Sequence, residues 1–124
     1  MHVKITASEG LIMEVLWRAD RPMAIEDVRE ALTGETWTDA TIRTFLSRLV
    51  NKNAVATFKQ GRRFLFRPLI DRADYVHAES KSLIDRLFDG HIEPFVAQFS
   101  QREDLSAEEI ARLRQLIERL GRGQ

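Results

Sequence analysis

The chain has 124 residues, 44% of them hydrophobic and 31% charged. This composition excludes a disordered chain and favours one compact domain, or a small domain with an added oligomerisation element. The absence of cysteine excludes disulfides, thiolate catalysis and cysteine-ligated metals. No apolar run approaches the roughly 20 residues of a membrane span, and the first ten residues lack a signal-peptide core, so we expect a cytoplasmic protein without membrane contact.

The formal net charge of zero hides a difference between the two halves of the chain. Residues 1–70 carry 11 Lys/Arg against 8 Asp/Glu, a net charge of +3, and residues 71–124 carry 8 against 11, a net charge of −3. Between Thr36 and Leu69 seven cations face a single acid, Asp39. Such a local excess predicts a phosphate-binding surface. We therefore expect a basic binding domain over residues 1–70 and a different, helical domain over residues 71–124.

Two helices are predicted before the basic region. Thr6 and Glu9 have the spacing of a capping box, in which a hydroxyl and a carboxylate each bind a free backbone amide at the helix start. The helix that they open is predicted to run to about residue 18 and to bury Ile12, Val15 and Leu16, with Trp17 as a further candidate. A second helix is predicted over residues 25–32, and Gly34 suits the left-handed conformation found after the end of a helix.

The third helix, predicted within Trp37–Lys52, has a well-specified start. Thr38 is a good N-cap, and Asp39 at the first helical position complements the helix dipole. Trp37 is expected to pack on Ile42 as a hydrophobic staple, which would fix the angle at which the chain enters the helix. On a helical period the apolar residues share one side. They are Ile42, Phe45, Leu46 and Leu49.

The opposite side of this helix carries short polar side chains with guanidinium groups on its flanks. It comprises Ala40, Thr44, Ser47 and Asn51, with Thr41 and Arg48 on one flank and Arg43 on the other. Low bulk with hydroxyl, amide and guanidinium groups suits a helix that lies in a DNA major groove. The alternative is an ordinary amphipathic surface helix, which would be the better interpretation of an isolated segment.

The segment after the third helix favours the DNA-binding interpretation. Residues 54–58 and 64–68 are β-prone, and Gly61 between them fits a hairpin turn. Three short helices and then a two-stranded basic hairpin are typical of a winged helix-turn-helix. A hairpin of this length can also be plain structural closure, but three cations at its tip, Lys59, Arg62 and Arg63, favour contact with phosphate.

These patterns assign a role to each predicted DNA-binding residue. Arg43, Thr44 and Ser47 are expected to contact base edges, with Arg43 reaching guanine and the Thr44 methyl group meeting thymine. Thr41 and Arg48 are expected to contact phosphates, and Thr38 is divided between capping and phosphate contact. The full predicted set is Thr38, Ala40, Thr41, Arg43, Thr44, Ser47, Arg48, Lys59, Arg62 and Arg63.

The chain after Pro68 is predicted to be helical. Asp71 or Asp74 can cap a long helix to about Phe88, a short helix is predicted over residues 92–99, and a second capping box begins at Ser106. Apolar faces on about 50 residues of helix are hard to bury alone, so we expect them to pair with a second copy in a homodimer. The alternative is packing on the domain's own core. The predicted dimer residues are Leu83, Leu87, Phe88, Phe95, Ile110, Leu113, Leu116, Ile117 and Leu120.

The order of these segments resembles the penicillinase-repressor family (BlaI, MecI and the copper-responsive CopY). The resemblance runs through ITASEGLIMEVLW, TWTDATIRTFLSRLVNKNAV, GRRFLFRP, SKSLIDRLFDG, PFVAQFSQREDLS and EEIARLRQLIE, so it covers nearly the whole chain. It implies a dimeric transcriptional repressor whose winged helix binds an inverted-repeat operator in double-stranded DNA. Copper-responsive members carry Cys-x-Cys pairs that this chain lacks, so copper sensing by that route is not expected.

The resemblance also implies how repression ends. In the family a membrane sensor-protease, or an activity that it triggers, cleaves an Asn-Phe bond in the C-terminal helices, which weakens the dimer. The matching pair here is Gln98 and Phe99, a candidate cleavage site. Gln is one methylene longer than Asn, so the pair departs from the family pattern.

Three other functions compete with this interpretation. An enzyme is not expected, because the three histidines (His2, His77 and His91) have no nucleophile or phosphate-binding loop to act with. No metal or cofactor is predicted either. A repressor of the MarR type would instead release DNA on binding a small molecule, in a pocket near Trp17, Phe88 and Phe95. A winged helix used only for protein contact would be indifferent to salt and DNA.

Overall fold

The computed structural model describes residues 3–123, and His2 lies outside them. In this part of the chain six helices flank one antiparallel hairpin, which confirms the predicted winged helix-turn-helix with C-terminal helices after it. No helix here is both long and apolar enough to cross a membrane. The elements are α1 Ala7–Ala19, α2 Ile25–Ala31, α3 Asp39–Asn51, β1 Val55–Gln60, β2 Arg63–Pro68, α4 Arg72–Phe88, α5 Ile92–Gln101 and α6 Ala107–Gly121.

Side-chain caps start α1 and α3 where the sequence predicts them. The Thr6 hydroxyl accepts a hydrogen bond from the Glu9 amide at 3.2 Å, and the Glu9 carboxylate accepts one from the Thr6 amide at 3.0 Å. At α3 the Thr38 hydroxyl accepts from the Thr41 amide at 3.2 Å. Each cap satisfies an amide that lacks a partner within its helix. The start of the exposed helix α3 is therefore set by local sequence.

One hydrophobic core joins α1, α2, α3 and the hairpin. The inward positions predicted for α1 and α3 are confirmed, except that Phe45 and Trp17 are only half-buried. The apolar side of α3 is thereby held against α1 and α2, and its opposite side faces solvent. The buried set includes Ile12, Met13, Val15, Leu16, Val28, Ile42, Leu46, Leu49, Val55 and Phe66.

The hairpin is longer and tighter than the sequence predicts. Its register runs from Val55 opposite Pro68 to Gln60 opposite Arg63, which leaves only Gly61 and Arg62 in the turn. Gly61 has φ +65°, a conformation that costs glycine little and that two-residue hairpin turns require. The five-residue basic tip of the prediction is therefore mostly strand, so its side chains have fixed faces.

A short link before α2 anchors the hairpin to the helices. The Met23 amide donates to the Phe66 carbonyl at 2.9 Å, and the Phe66 amide donates back to the Met23 carbonyl at 2.8 Å. No local pattern in the sequence predicts this pairing. This two-bond bridge fixes β2 relative to α2. It hence fixes the position of the wing, which is the hairpin of β1 and β2.

Two tryptophans, Trp17 and Trp37, connect the helices to neighbouring segments of the chain. The Trp17 indole N–H donates to the Ile70 carbonyl at 2.9 Å, which ties the chain after the wing to α1. Trp37 was expected to meet Ile42, but its ring packs on Phe45, with 5.1 Å between ring centres. Both rings lie against the core that contains Ile42. The chain therefore enters α3 with a ring contact about two helical turns beyond the cap.

The chain forms two compact units, the first ending at Glu79 and the second beginning at Ser80 within α4. The domain boundary predicted after residue 70 stays a prediction. Asp71 caps α4 by accepting from the Asp74 amide at 3.3 Å. In the second unit the predicted capping box of α6 is present, with Ser106 and Glu109 exchanging hydrogen bonds of 3.0 and 3.1 Å.

Candidate nucleic-acid interface

The exposed side of α3 presents the residues predicted to meet bases. Ala40, Arg43, Thr44 and Ser47 are all exposed. The Thr44 hydroxyl donates to the Ala40 carbonyl at 3.0 Å, so its proton is already used. Its methyl group and its remaining lone pair stay available to a partner. The surface is of low bulk and has acceptors and one guanidinium, which matches the edges of base pairs in a major groove.

Two threonines at the start of α3 are occupied with each other. The Thr38 hydroxyl caps the Thr41 amide and also donates to the Thr41 hydroxyl at 3.1 Å. The capping role predicted for Thr38 is confirmed by this geometry. The backbone amides at this helix start carry the partial positive charge of the helix dipole, which favours a phosphate nearby.

A cleft of about 550 Å³ separates α3 from the wing. Arg43, Ser47 and Asn51 line its helical side, and Arg62 and Phe64 line its wing side. The structure thus brings together residues that the sequence predicts from two separate motifs. Asn51 lies on the predicted polar side of α3 but is not in the predicted DNA-binding set. Phe64 was missed, although strand alternation would have put it on the same face as Phe66, the partner of Thr57.

The predicted cations divide into free and paired groups. Within the described residues Arg43 and Arg62 have no ion-pair or hydrogen-bond partner. The Arg63 guanidinium instead lies 3.4 Å from the Glu26 carboxylate and 3.6 Å from that of Asp27, both on α2. Arg43 and Arg62 therefore carry the uncompensated charge of the cleft, and Arg63 ties the wing tip to α2.

The two other predicted cations, Arg48 and Lys59, lie near aromatic rings. The Arg48 guanidinium lies 5.8 Å from the centre of the Phe45 ring, and the Lys59 ammonium lies 5.8 Å from that of Phe64. A ring face attracts a cation without neutralising it, so both keep their charge for a phosphate. Asp39 pairs with Arg29 of α2, and this hydrogen bond raises the pKa of Arg29.

The model of the family described as penicillinase repressor matches residues 5–119. The chain belongs to that family. A penicillinase repressor of Bacillus licheniformis is 35% identical over 93% of this chain and 90% of its own length. The methicillin resistance regulatory protein MecI of Staphylococcus aureus strain N315 is 28% identical over 92% of this chain and 93% of its own length.

Solved structures agree with this assignment. The DNA-binding domain of the repressor BlaI matches at a TM-score of 0.52 with 35% identity, over 60% of this chain and 94% of that one. The apo form of MarR from E. coli matches at 0.51 with 17% identity, over 94% of this chain and 77% of that one, which shows a shared fold alone. The chain is a winged-helix transcriptional repressor.

The relatives of the repressor are regulators and not enzymes. Within residues 3–123 no group of three or more His, Asp or Glu side chains has the arrangement of a metal site. The cleft between α3 and the wing presents cations, an amide and hydroxyls, together with the Glu26 carboxylate that is paired with Arg63.

The second unit of the repressor leaves its apolar side chains uncovered. None of the side chains described in α4, α5 or α6 is fully buried. Leu87, Ile117 and Leu120 are 65%, 64% and 62% exposed. Between α5 and α6 an apolar groove of about 290 Å³ includes Val96 and Leu113. Leu83, Phe88, Phe95, Ile110 and Leu116 complete the predicted dimer set, all of them partly exposed.

The candidate cleavage bond of the repressor lies inside a helix. Gln98 is exposed and Phe99 is half-buried in α5, and the Gln98 carbonyl accepts from the Arg102 amide at 3.2 Å. The Phe99 ring packs edge-on against Phe95 at 5.1 Å, and Phe95 packs likewise on Phe88 at 5.5 Å. The bond thus adjoins the aromatic cluster that links α4 to α5.

Proposed function

We propose that the repressor binds an inverted-repeat DNA operator as a homodimer in the cytoplasm, with α3 in the major groove and the wing along the adjacent backbone. In this arrangement Arg43, Thr44 and Ser47 read base edges, while Thr41 and Arg48 contact phosphates. Lys59 and Arg62 supply the phosphate contacts of the wing. Arg63 contributes by holding the wing tip against α2.

The observation that carries this proposal is the pair of unpartnered guanidinium groups on opposite walls of one cleft. Arg43 stands on the recognition helix and Arg62 on the turn of the wing, and no carboxylate of the described chain neutralises either. Like charges across a cleft repel, so the arrangement is most stable with an anion between or beside them. DNA supplies the negative charge, with guanine acceptors in the major groove for Arg43 and backbone phosphates for Arg62.

Selection of bound duplexes from a random DNA pool by the full chain tests the proposal. We expect a palindromic sequence whose half-sites are centred about one helical turn, roughly 34 Å, apart or a multiple of it. The same selection with Arg43→Ala should lose preference at one base pair in each half-site. A pool that stays random after selection, or a winner without two-fold symmetry, would contradict the proposed operator.

The dimer is supported by the uncovered apolar side chains of the second unit. An isologous interface places the same stripe of two copies against itself, so Leu116, Ile117 and Leu120 would each meet a partner residue. Dimerisation also serves specificity. One small winged domain binds too weakly to compete against genomic DNA, whereas two linked domains gain affinity from simultaneous contact.

We further propose that a sensor-linked protease ends repression by cutting between Gln98 and Phe99. A protease binds its substrate in an extended conformation, so this part of α5 has to unwind before cleavage. The cut separates α6 and its apolar stripe from the first unit, which removes the bivalent DNA contact. The nearby ring packing of Phe99 on Phe95 would be lost at the same time.

Mass spectrometry tests this step on the chain isolated from its host before and after exposure to a penicillin. We expect fragments that end at Gln98 and begin at Phe99, and a chain with Phe99→Ala should stay intact. Operator release with only the intact chain present would overturn cleavage and favour the small-molecule mechanism of the MarR type. The predicted ligand residues for that mechanism, Trp17, Phe88 and Phe95, would then be the first positions to vary.

A further inference from the structure

The most exposed phenylalanine of the wing lies at its tip. Phe64 is the second residue of β2 and is 56% exposed. Its cross-strand partner is Lys59, whose ammonium lies over the ring at 5.8 Å from its centre. A ring left this far in water forgoes the free energy that burial would provide. The ring is therefore available for contact with a partner outside the unit.

The register of the hairpin decides which way this ring faces. Successive cross-strand pairs lie on alternate faces of a sheet. The pair of Lys59 and Phe64 shares its face with the pair of Thr57 and Phe66, and Thr57, Phe64 and Phe66 all line the cleft beside α3. Phe58 pairs with Leu65 and lies on the opposite face. The exposed ring thus belongs to the surface that carries Arg43 and Arg62.

We propose that Phe64 is a DNA-contacting residue of the wing, and that its ring packs on the deoxyribose edge of the backbone while Lys59 and Arg62 bind the flanking phosphates. This inference rests on the proposed operator binding and adds an apolar contact to it. Along the DNA backbone, apolar deoxyribose groups alternate with charged phosphates. A ring bordered by two cations has the same alternation of apolar and charged groups.

The charges around the ring favour DNA over a second protein chain. The cleft that holds Phe64 also holds Arg43, Arg62 and Arg63, and Glu26 is the one acidic residue among the described residues that line it. Glu26 is already paired with Arg63. A protein partner would have to supply acidic groups at phosphate-like spacing around an apolar spot, whereas a duplex presents this pattern along its whole length.

Phe64→Ala and Phe58→Ala form a matched pair of tests, because both remove a phenyl ring from the same hairpin but on opposite faces. Affinity for the selected operator is measured with the full chain by fluorescence anisotropy at several salt concentrations. We expect Phe64→Ala to weaken binding about tenfold with an unchanged salt slope, since an apolar contact releases no counterions. Phe58→Ala should change affinity less than twofold, and Phe64→Leu should fall between wild type and Phe64→Ala.

Hydroxyl-radical footprinting gives a direct readout, because these radicals attack deoxyribose. Sugars flanking each half-site should lose protection with Phe64→Ala and keep it with Phe58→Ala. Circular dichroism and sedimentation of each variant establish that the fold and the oligomeric state are retained. A variant that is folded but changes its oligomeric state instead of its footprint would overturn the inference and make Phe64 a protein contact.

Operator binding and the role of Phe64 fail on different results. If the wild-type chain binds no duplex at low salt, the proposed operator binding fails. If the wild type binds but Phe64→Ala retains its affinity within twofold, or if Phe58→Ala loses as much, only the role of Phe64 is overturned. A loss that lowers the salt slope would assign the effect to Lys59 and not to the ring.

Discussion

The Glu9 carboxylate, 1% exposed, accepts a hydrogen bond from the Lys52 ammonium at 2.5 Å. Glu9 belongs to the first turn of α1, and Lys52 is the C-cap of α3, 43 residues later. The same carboxylate also completes the capping box with Thr6. One buried group therefore starts the first helix and holds the end of the recognition helix against it.

The first prediction concerns Lys52→Met. Burial raises the pKa of Glu9, but hydrogen bonds from Lys52 and from the Thr6 amide outweigh it, so the net pKa lies below its ordinary value of 4.5. Without Lys52 the buried charge loses its main partner, and we expect a loss of about 3 kcal/mol in the free energy of unfolding at pH 7. Denaturant unfolding measures it.

The pH dependence of this loss has a definite sign. A carboxylate with a lowered pKa stabilises the folded chain above its unfolded pKa, and this stabilisation is lost as the pH falls through the folded pKa. Wild type should therefore lose stability below about pH 4.5, while Lys52→Met loses less because its Glu9 gains a proton more readily. The difference in unfolding free energy between wild type and Lys52→Met should narrow from pH 7 to pH 4. A difference that stays constant would contradict the role of the Glu9 charge.

Arg72→Met is the control for this experiment. Arg72 forms two hydrogen bonds to Glu14, at 2.8 and 3.0 Å, but both side chains are well exposed. Exposed ion pairs contribute about 0–1 kcal/mol, so this variant should unfold close to wild type. An equal loss in both variants would indicate that burial of Glu9 is unimportant.

The sequence predicted the caps and missed the Glu9–Lys52 pair for the same physical reason. A capping box joins residues three apart, so Thr6 with Glu9 and Ser106 with Glu109 are readable from spacing alone. The contact of Glu9 with Lys52 depends on how α1 packs on α3, and no local period records that. The bridge from Met23 to Phe66 was missed likewise, because it joins segments 43 residues apart.

The candidate site shows the same limit. The helical period predicted which residues of α3 face outward, and Ala40, Arg43, Thr44 and Ser47 are exposed. The wing residues were predicted from the positive charges of the hairpin tip. Those charges could not distinguish Arg62 from Arg63, which are neighbours in one basic turn. The difference arises because Arg63 lies beside Glu26 and Asp27 of α2, and Arg62 does not. Charge counted along the sequence therefore overestimated the free cations at the wing tip.

The second prediction separates base contact from phosphate contact. Arg43→Ala should cost roughly 1–3 kcal/mol on the selected operator and far less on a random duplex, because it removes a contact to one base pair. Arg62→Ala should weaken both duplexes alike and lower the slope of log affinity against log salt by about one. Titrations at several salt concentrations measure both quantities. An equal loss of Arg43→Ala on both duplexes would make it a phosphate contact.

The third prediction concerns Arg63→Ala. Since this guanidinium is held by Glu26 and Asp27, its loss should lower the salt slope by less than Arg62→Ala does. These are exposed ion pairs, so we expect a change of less than about 1 kcal/mol in unfolding free energy. The matched variant is Glu26→Gln, which leaves Arg63 only the Asp27 carboxylate at 3.6 Å and should strengthen binding to any duplex. If Arg63→Ala and Arg62→Ala have equal slopes, Arg63 exchanges its carboxylates for phosphate on binding.

The last prediction tests the proposed dimer through Ile117→Asp. Ile117 is 64% exposed on α6, and a charge there would have to be desolvated in an isologous interface on both copies at once. We expect this variant to sediment as a monomer at concentrations where wild type is a dimer. Gln115→Asp places the same charge two residues away on the same helix and should leave the dimer intact.

Binding to a single half-site should be equal for wild type, Ile117→Asp and Gln115→Asp, because α3 and the wing are unchanged. Binding to the full operator should fall only for Ile117→Asp. A monomeric wild type that binds the full operator no more tightly than a half-site would contradict the proposed dimer.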